Sequence, residues 1–378
     1  MRRSHIGRAA VAAAGLLVGL AALLPSAQAD EAHGGQPATA AATDPNATTT
    51  TTATSTATAT GSWQEVNVGT TPAKMHAFHD VVSTVSGDVL ATDPGQDIRC
   101  WNGTGWEVVP KPGIPQMHNS DYIASLGGIS CSDFYIYDQE SLSADTAPGR
   151  WHWNGTTWQH TLTGDTYPSM RFQAFAANDM WDFSYHYAHH FDGTSWNTVA
   201  LPDTVSSPDI VTGTSGKDLW LMGSSNTSPF GPLAYHWNGT KWVQSTLPST
   251  WTSKNSEQSA VTVSSNEVYV FDFTTANGYL RWDGTTWHKE NTGVSLPAVS
   301  DYTSGAAYSG GTVWLSVAET VLRLDNGVWT KSPLPAVSDP SPIDVRAIAA
   351  DPRTGTVIAG GGAGGEQAPR PVLLQYQN

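Results

Sequence analysis

The sequence has few cysteines, little positive charge and almost no helical periodicity. It contains two cysteines, and 18 lysines and arginines stand against 33 aspartates and glutamates, for a net charge of −15. Nucleic-acid binders carry basic patches, so we expect no nucleic-acid partner. Beyond the N-terminal run AAVAAAGLLVGLAALL, no stretch is long and apolar enough for a membrane helix, so we also expect no membrane partner.

Recognisable catalytic and metal-binding motifs are also lacking. The chain has no GxSxG, no HExxH and no DxDxDG calcium loop, and GGGAGG (360–365) lacks the lysine of a phosphate loop. The run YHYAHH (185–190) invites a metal interpretation through His186, His189 and His190, but no carboxylate with metal-ligand spacing accompanies it. We therefore expect no cofactor, no metal and no enzymatic activity. A glycosidase or lyase site assembled from scattered carboxylates stays open as an alternative.

The N-terminal 60 residues differ in composition from the rest. A basic start, a short apolar run and an Ala-x-Ala site predict a secretory signal peptide over 1–29. Residues 30–60 are rich in alanine and threonine and predict a disordered tail. We expect a secreted, extracellular protein whose single folded domain covers 61–378, and we expect a monomer.

One short pattern recurs along that domain. It reads CWNGTGW at 100–106, HWNGTTW at 152–158, HFDGTSW at 190–196, HWNGTKW at 236–242, RWDGTTW at 281–287 and, shortened, RLDNGVW at 323–329. A repeat of about 45 residues built from short strands is the period of a β-propeller blade. Asn-Gly and Asp-Gly predict tight hairpins, because both residues tolerate positive φ.

Seven further strands, such as FYIYD (134–138) and LWLMG (219–223), precede the hairpins, but only six hairpins are complete. The N-terminal Trp63 and the C-terminal VLLQYQ (372–377) supply the missing parts, so the two ends should pair within one blade. The prediction is an all-β fold, a seven-bladed β-propeller of four-stranded blades closed by its terminal strands.

The remaining aromatic and sulfur residues fit this architecture. Of 16 tryptophans, seven mark the repeat, and we interpret them as packing between blades rather than as sugar-stacking sites. Trp251 lies outside the repeat in a linker and is expected to be an exposed contact residue. Cys100 and Cys131 are expected to form a disulfide, because two cysteines in an exported chain pair and both fall in turns on one side of the ring.

The repeated copies resemble the Trp-rich blades of secreted bacterial seven-bladed β-propellers over all of 61–378. Resemblance to the protease-directed members of that family implies a non-enzymatic protein that acts on secreted, thermolysin-like neutral metalloproteases and promotes their autolysis. It also implies a glutamine donor for extracellular transglutaminase. A carbohydrate-binding propeller, using exposed aromatics such as Trp251 and Tyr302, is the alternative.

Candidate contact residues lie where the first strand of each blade enters the central channel. His76, His118 and Arg171 fall in register in the first three blades, and with Trp251 they are the partner-binding candidates. Later blades offer Asp209, Glu257, Asp301 and Asp344 with Arg346. The sequence predicts a funnel that is basic on one side and acidic on the other, against the simpler interpretation of a hydrated polar channel.

Transglutaminase requires glutamine on exposed, mobile backbone. Seven glutamines in predicted tails, loops or strand starts meet that requirement: Gln36, Gln96, Gln116, Gln139, Gln173, Gln258 and Gln367. Gln159, Gln244 and Gln375 fall in predicted strands and should react poorly.

Overall fold

A computed structural model describes residues 61–66, 77–78, 80–92, 98–109, 123–138, 149–165, 167, 169–228, 230–252, 258–272, 278–296, 304–337, 342–364 and 370–377. The predicted signal peptide and tail lie outside these residues. Within the described ranges, no helix is long and apolar enough to cross a membrane.

The strands of these ranges are, in chain order, β1 (Ser62–Glu65), β2 (Asp80–Ser83), β3 (Val89–Thr92), β4 (Ile98–Trp101), β5 (Trp106–Val109), β6 (Ile123–Ser130), β7 (Asp133–Asp138), β8 (Gly149–Trp153), β9 (Trp158–Leu162), β10 (Arg171–Ala176), β11 (Asp179–Phe183), β12 (Tyr187–Phe191), β13 (Trp196–Ala200), β14 (Val205–Ser215), β15 (Asp218–Ser225), β16 (Pro232–Trp237), β17 (Trp242–Ser245), β18 (Gln258–Ser264), β19 (Glu267–Asp272), β20 (Gly278–Trp282), β21 (Trp287–Asn291), β22 (Ser304–Ser309), β23 (Thr312–Val317), β24 (Thr320–Asp325), β25 (Val328–Ser332), β26 (Asp344–Asp351), β27 (Thr356–Ala363) and β28 (Arg370–Gln377).

These strands form seven antiparallel sheets of four strands, so the predicted all-β propeller is confirmed. Blades 1 to 6 take consecutive strands, from β2–β5 to β22–β25, and blade 7 joins β26, β27 and β28 to the N-terminal β1. Trp63 lies opposite Tyr376 in that pairing, and Arg370 forms a salt bridge with Glu65. The first strands of neighbouring blades contact each other all round the ring, including β2 with β26. Each blade therefore contacts a neighbouring blade on both sides.

The ring has two different faces, because the connections of an antiparallel meander alternate between its two ends. The first-to-second and third-to-fourth strand connections contain two to five residues and define what we call the turn face. The second-to-third strand and blade-to-blade connections define the loop face, which includes the described residues 163–165, 184–186 and 246–252.

The WNGTxW repeats form the third-to-fourth strand turns. In the first copy Trp101 pairs with Trp106, and the residues between them form the turn. Asn102 Oδ1 accepts hydrogen bonds from the backbone N–H groups of Thr104 and Gly105, both at 3.0 Å. Gly103 has a φ of 92°. In this turn positive φ is required of the glycine, and Asn102 contributes its side-chain oxygen, which corrects the reason predicted above. In the shortened copy both Asn326 (φ 51°) and Gly327 (φ 77°) have positive φ, as predicted. The same bonds recur in the turns that begin at Asn154, Asp192, Asn238 and Asp283.

The repeat tryptophans pack each blade against its neighbour, as predicted. Trp287 of blade 5 contacts Trp220 of blade 4, with ring centroids 4.9 Å apart. Trp63 of blade 7 contacts Trp314 of blade 6 at 5.7 Å. Buried aromatic pairs of this kind stabilise a fold through apolar area and edge-to-face geometry together, so these side chains are framework.

The predicted disulfide is present and lies on the turn face. Cys100 of blade 1 is bonded to Cys131, in the first turn of blade 2. Asp88 accepts a hydrogen bond from the Cys131 backbone N–H at 2.8 Å, and Arg353 of blade 7 approaches Asp88 at 2.9 Å. Three consecutive blades are therefore joined across the site of ring closure.

Candidate functional site

The first strands begin on the loop face, where they open the central channel. Arg171 is the first residue of β10. Its Nε donates to the backbone oxygen of Asp209 in blade 4 at 2.8 Å, and its Nη1 donates to the Met170 oxygen at 2.7 Å. The guanidinium therefore links blade 3 to blade 4 by a hydrogen bond. Its positive charge also lowers the pKa values of the carboxylates at the channel mouth.

Two carboxylates at this mouth are held in unfavourable surroundings. Burial raises the pKa of Asp80 to about 6, although the charge of Arg171 and a hydroxyl of Thr92 oppose the shift. Burial also raises the pKa of Asp209, against a hydrogen bond from Ser207 and the charge of Arg171. Each anion costs stability at neutral pH, and costly ionisable groups in a protein opening are candidates for function.

Side chains farther along the first strands connect the blades rather than face a ligand. Gln173 Nε2 donates to the Val211 oxygen of blade 4 at 3.1 Å. Thr212 and Thr262 share a hydrogen bond of 2.8 Å between blades 4 and 5. On blade 7, Arg346 Nε lies 3.0 Å from Asp344 Oδ2. His76, His118, Glu257 and Asp301 lie outside the described residues, so the basic and acidic sides of the channel stay a prediction.

A buried polar cluster supports the loop face between blades 2 and 3. Asp182, which is fully buried, accepts hydrogen bonds from Arg150 Nε at 2.7 Å and from the Tyr137 hydroxyl at 3.0 Å. Its other oxygen pairs with His189 Nδ1 at 2.9 Å. Burial and the Asp182 charge together raise the pKa of Tyr137 well above its usual value. The Asp182 carboxylate is thus paired with Arg150 and hydrogen-bonded to Tyr137 and His189.

The cluster reaches the loop face through Asp165, in the connection from blade 2 to blade 3. Asp165 Oδ2 lies 3.6 Å from His189 Nε2. Burial raises the pKa of Asp165, with the His189 charge opposing the shift and the Asp182 charge adding to it. Asp80, Asp165 and Asp209 therefore share one property, a carboxylate at the loop face that burial disfavours as an anion.

Carboxylates on the turn face behave in the opposite way. A hydrogen bond from the Thr194 hydroxyl and two backbone N–H groups lower the pKa of Asp192, and the equivalent bonds at Thr285 and Thr286 lower that of Asp283. Burial would raise the pKa values of Asp218 and Asp351, but hydrogen bonds outweigh it and both are lowered. These four turn-face carboxylates are stabilised as anions, which is what a structural role requires.

Three His–Asp pairs near the turn face were not predicted from the sequence. The pairs are His152–Asp133 at 2.7 Å, His190–Asp179 at 3.0 Å and His236–Asp218 at 2.6 Å, stacked on Tyr135, Trp181 and Trp220 respectively. In blades 5 and 6, Arg281 and Arg323 take the same register, and in blade 1 it is Cys100. The signal was the residue before each Trp-Asn-Gly-type turn, which is Cys, His or Arg in every copy.

The YHYAHH histidines do not converge. His186 is exposed at the turn between β11 and β12, His189 pairs with Asp182, and His190 pairs with Asp179. The partners are carboxylates of the preceding strand, contributed by the segment Asp179–Phe183, which sequence spacing alone had not associated with the histidines.

One predicted contact residue is wrong in its exposure. Trp251 is only 5 % exposed and packs with Trp220, Leu280 and Trp287 in the core between blades 4 and 5. The linker folds back because an indole next to an apolar seam gains more from burial than from water. Burial removes Trp251 from the surface that either a protein or a carbohydrate would touch.

The other candidates divide into two groups. His76, His118, Gln36, Gln96, Gln116, Gln139 and Gln367 lie outside the described residues, as does Tyr302. Gln173 is a paired residue of β10 with its amide engaged, and Gln258 is the first residue of β18. The hydrogen bond that its side-chain amide donates to Val211 should make Gln173 a poorer transglutaminase substrate than its sequence context suggested.

Comparison with known proteins identifies the fold and nothing finer. No family model matches the sequence, and no curated protein does. Among solved structures, YCF48 bound to D1 peptide superposes with a TM-score of 0.58 at 12 % identity, covering 84 % of this chain and 97 % of that one. YCF48 from Cyanidioschyzon merolae gives 0.58 at 11 % identity, covering 84 % and 99 %. A chain of the Mitotic Checkpoint Complex gives 0.55 at 12 % identity, covering 81 % and 89 %. The chain is a seven-bladed β-propeller with Trp-rich aromatic clusters.

Proposed function

We propose that this protein is a non-enzymatic, protein-binding propeller whose loop face contacts its partner. The observation that supports this most is the opposite treatment of carboxylates on the two faces. Burial disfavours the anions of Asp80, Asp165 and Asp209 on the loop face, whereas hydrogen bonds stabilise the anions of four turn-face aspartates, which are Asp192, Asp218, Asp283 and Asp351. A partner that brings positive charge to the loop face would relieve that cost.

The fold supports a binding role by analogy. YCF48, which has the same architecture, has been solved bound to a D1 peptide, and another similar chain belongs to a mitotic checkpoint complex. These proteins share only the fold with this chain, so the analogy concerns the use of a propeller as a rigid platform for loops.

The finer hypothesis is that the partner is a secreted, thermolysin-like neutral metalloprotease and that contact promotes its autolysis. It rests on the resemblance to the dispase autolysis-inducing protein, carried by the acidic ring of WNGTxW-type blades and the predicted export signal. The test is a time course of a thermolysin-type protease with and without the purified protein. We expect intact protease and its activity to disappear faster while the propeller stays whole, and superimposed curves would refute the hypothesis.

The same resemblance proposes that the protein is a glutamine donor for extracellular transglutaminase. Enzymatic labelling with a tagged amine, followed by peptide mass spectrometry, tests it. We expect tags on Gln36, Gln96, Gln116, Gln139, Gln258 or Gln367, and fewer on Gln173. Labelling mainly at the strand residues Gln159, Gln244 and Gln375 would contradict the proposal.

A further inference from the structure

Blade 3 presents an aromatic cluster on the loop face that the proposed function has not used. Tyr167 and Tyr185 contact each other edge to face, with ring centroids 5.0 Å apart. The ring centroid of His186 lies 6.2 Å from that of Tyr167 and 6.5 Å from that of Tyr187. Tyr167 is 40 % exposed and Tyr187 is 46 % exposed. We call these four residues the tyrosine patch.

The position of the patch in the fold is unusual for such side chains. Ser184 N–H donates to the Tyr187 oxygen at 2.9 Å, so Tyr185 and His186 form the tip of a tight turn between β11 and β12. Tight turns favour glycine, asparagine, aspartate and serine. Two bulky aromatic residues at an exposed tip gain nothing from core burial, so their packing against Tyr167 preorganises a surface rather than stabilising the interior.

The charge around the patch is negative. Asp165 precedes Tyr167 by two residues, and its side chain retains some exposure beside His189. The backbone N–H of Leu201 donates to the His186 oxygen at 3.5 Å, and Asp203, two residues farther along the chain, is exposed. Arg150 is buried against Asp182 and stacked on Trp196, so its charge serves the interior. The whole chain has a net charge of −15.

We propose that the tyrosine patch is a docking site for a lysine- or arginine-bearing segment of a partner protein. Tyrosine ring faces attract cations through their quadrupole, and carboxylates at the edge add long-range attraction. The proposal rests on the protein-binding function above and adds the place of contact and the partner's chemistry. A neutral glycan would also stack on tyrosine, but it would gain no electrostatic attraction from the surrounding negative charge.

The probe is a tetralysine peptide, with tetraglutamate and chitotetraose as comparison ligands, measured by isothermal titration calorimetry at 20 and 200 mM NaCl. Of the three ligands, we expect only tetralysine to bind, and we expect its affinity to fall at the higher salt concentration. The double variant Tyr167→Ser/Tyr187→Ser should weaken binding about tenfold, as expected for two lost cation–π contacts. Tyr167→Phe/Tyr187→Phe should keep it, because the ring faces remain.

Tyr308→Ser is the matched control, since Tyr308 is 38 % exposed and lies on β22 beside the turn face. Equal binding by the serine double variant and the wild type, no binding of tetralysine by the wild type, or preference for chitotetraose would each overturn the proposal. The protease time course fails or succeeds separately. Tetralysine binding lost with the patch, together with an unaffected protease, would remove the protease partner and keep the docking site.

Discussion

The turn face and the loop face of this ring use the same residue, aspartate, to opposite ends. On the turn face Asp192 and Asp283 accept hydrogen bonds from the turns they begin, and their pKa values are lowered. On the loop face loss of hydration raises the pKa values of Asp80, Asp165 and Asp209, although hydrogen bonds and opposite charges oppose the shift. The turn face therefore contributes stability, whereas the loop face gives up stability, as recognition surfaces often do.

The largest effect should come from the buried cluster that supports the loop face. Asp182→Ala leaves Arg150 buried without its anion, and we expect a loss of about 3–5 kcal/mol in the free energy of unfolding. Denaturant unfolding measures it. Asp203→Ala, an exposed loop-face aspartate, is the control and should cost almost nothing. A loss below about 1 kcal/mol for Asp182→Ala would contradict the structural role of the cluster.

Next in size is the disulfide of the turn face. Cys100 and Cys131 are 31 residues apart, and replacing both with serine should cost about 2–4 kcal/mol by freeing the unfolded chain. Thermal unfolding with and without reductant checks the value, because the reductant should destabilise the wild type and leave the variant unchanged. Equal response of both proteins to reductant would show that the bond does not stabilise the ring.

Asp80→Asn tests the cost of a loop-face carboxylate. The folded pKa of about 6 lies above the usual 3.8, so the contribution of Asp80 to stability is present below pH 4 and is lost as pH rises through 6. The variant should therefore be more stable than the wild type by about 1–2 kcal/mol at pH 7.5 and equal to it near pH 4. Urea unfolding at both pH values decides; a variant that is less stable at pH 7.5 contradicts the burial argument.

Asp192→Asn should produce the smallest effect and the opposite pH dependence. Its pKa is lowered, so the anion's contribution is present at neutral pH and is lost as pH falls into the acid range. Asn154 already makes the same turn with an amide, so the variant should fold normally at pH 7. Acid unfolding should show a smaller loss of stability below pH 4 than the wild type shows. Identical acid profiles would contradict the assignment.

Sequence reasoning predicted the ring because its evidence is periodic and local. WNGTxW marks a turn in each blade, and Trp63 with VLLQYQ identified the closing blade. The same kind of pattern, Cys, His or Arg before the turn, would have predicted the His152, His190 and His236 pairs. Trp251 and the Asp182 cluster were different, since their burial depends on how a linker folds back and on which neighbouring strand supplies a partner. Those contacts arise from tertiary packing between segments, which a local sequence pattern does not predict.

The most direct test of the two-face account is the protease time course with one variant from each face. Asp80→Asn and Asp192→Asn each replace one carboxylate by its amide, and both should be folded at neutral pH. We expect Asp192→Asn to accelerate loss of the protease as the wild type does, whereas Asp80→Asn, although more stable, should accelerate it less. Equal acceleration by both variants, or a loss confined to Asp192→Asn, would contradict the assignment of binding to the loop face.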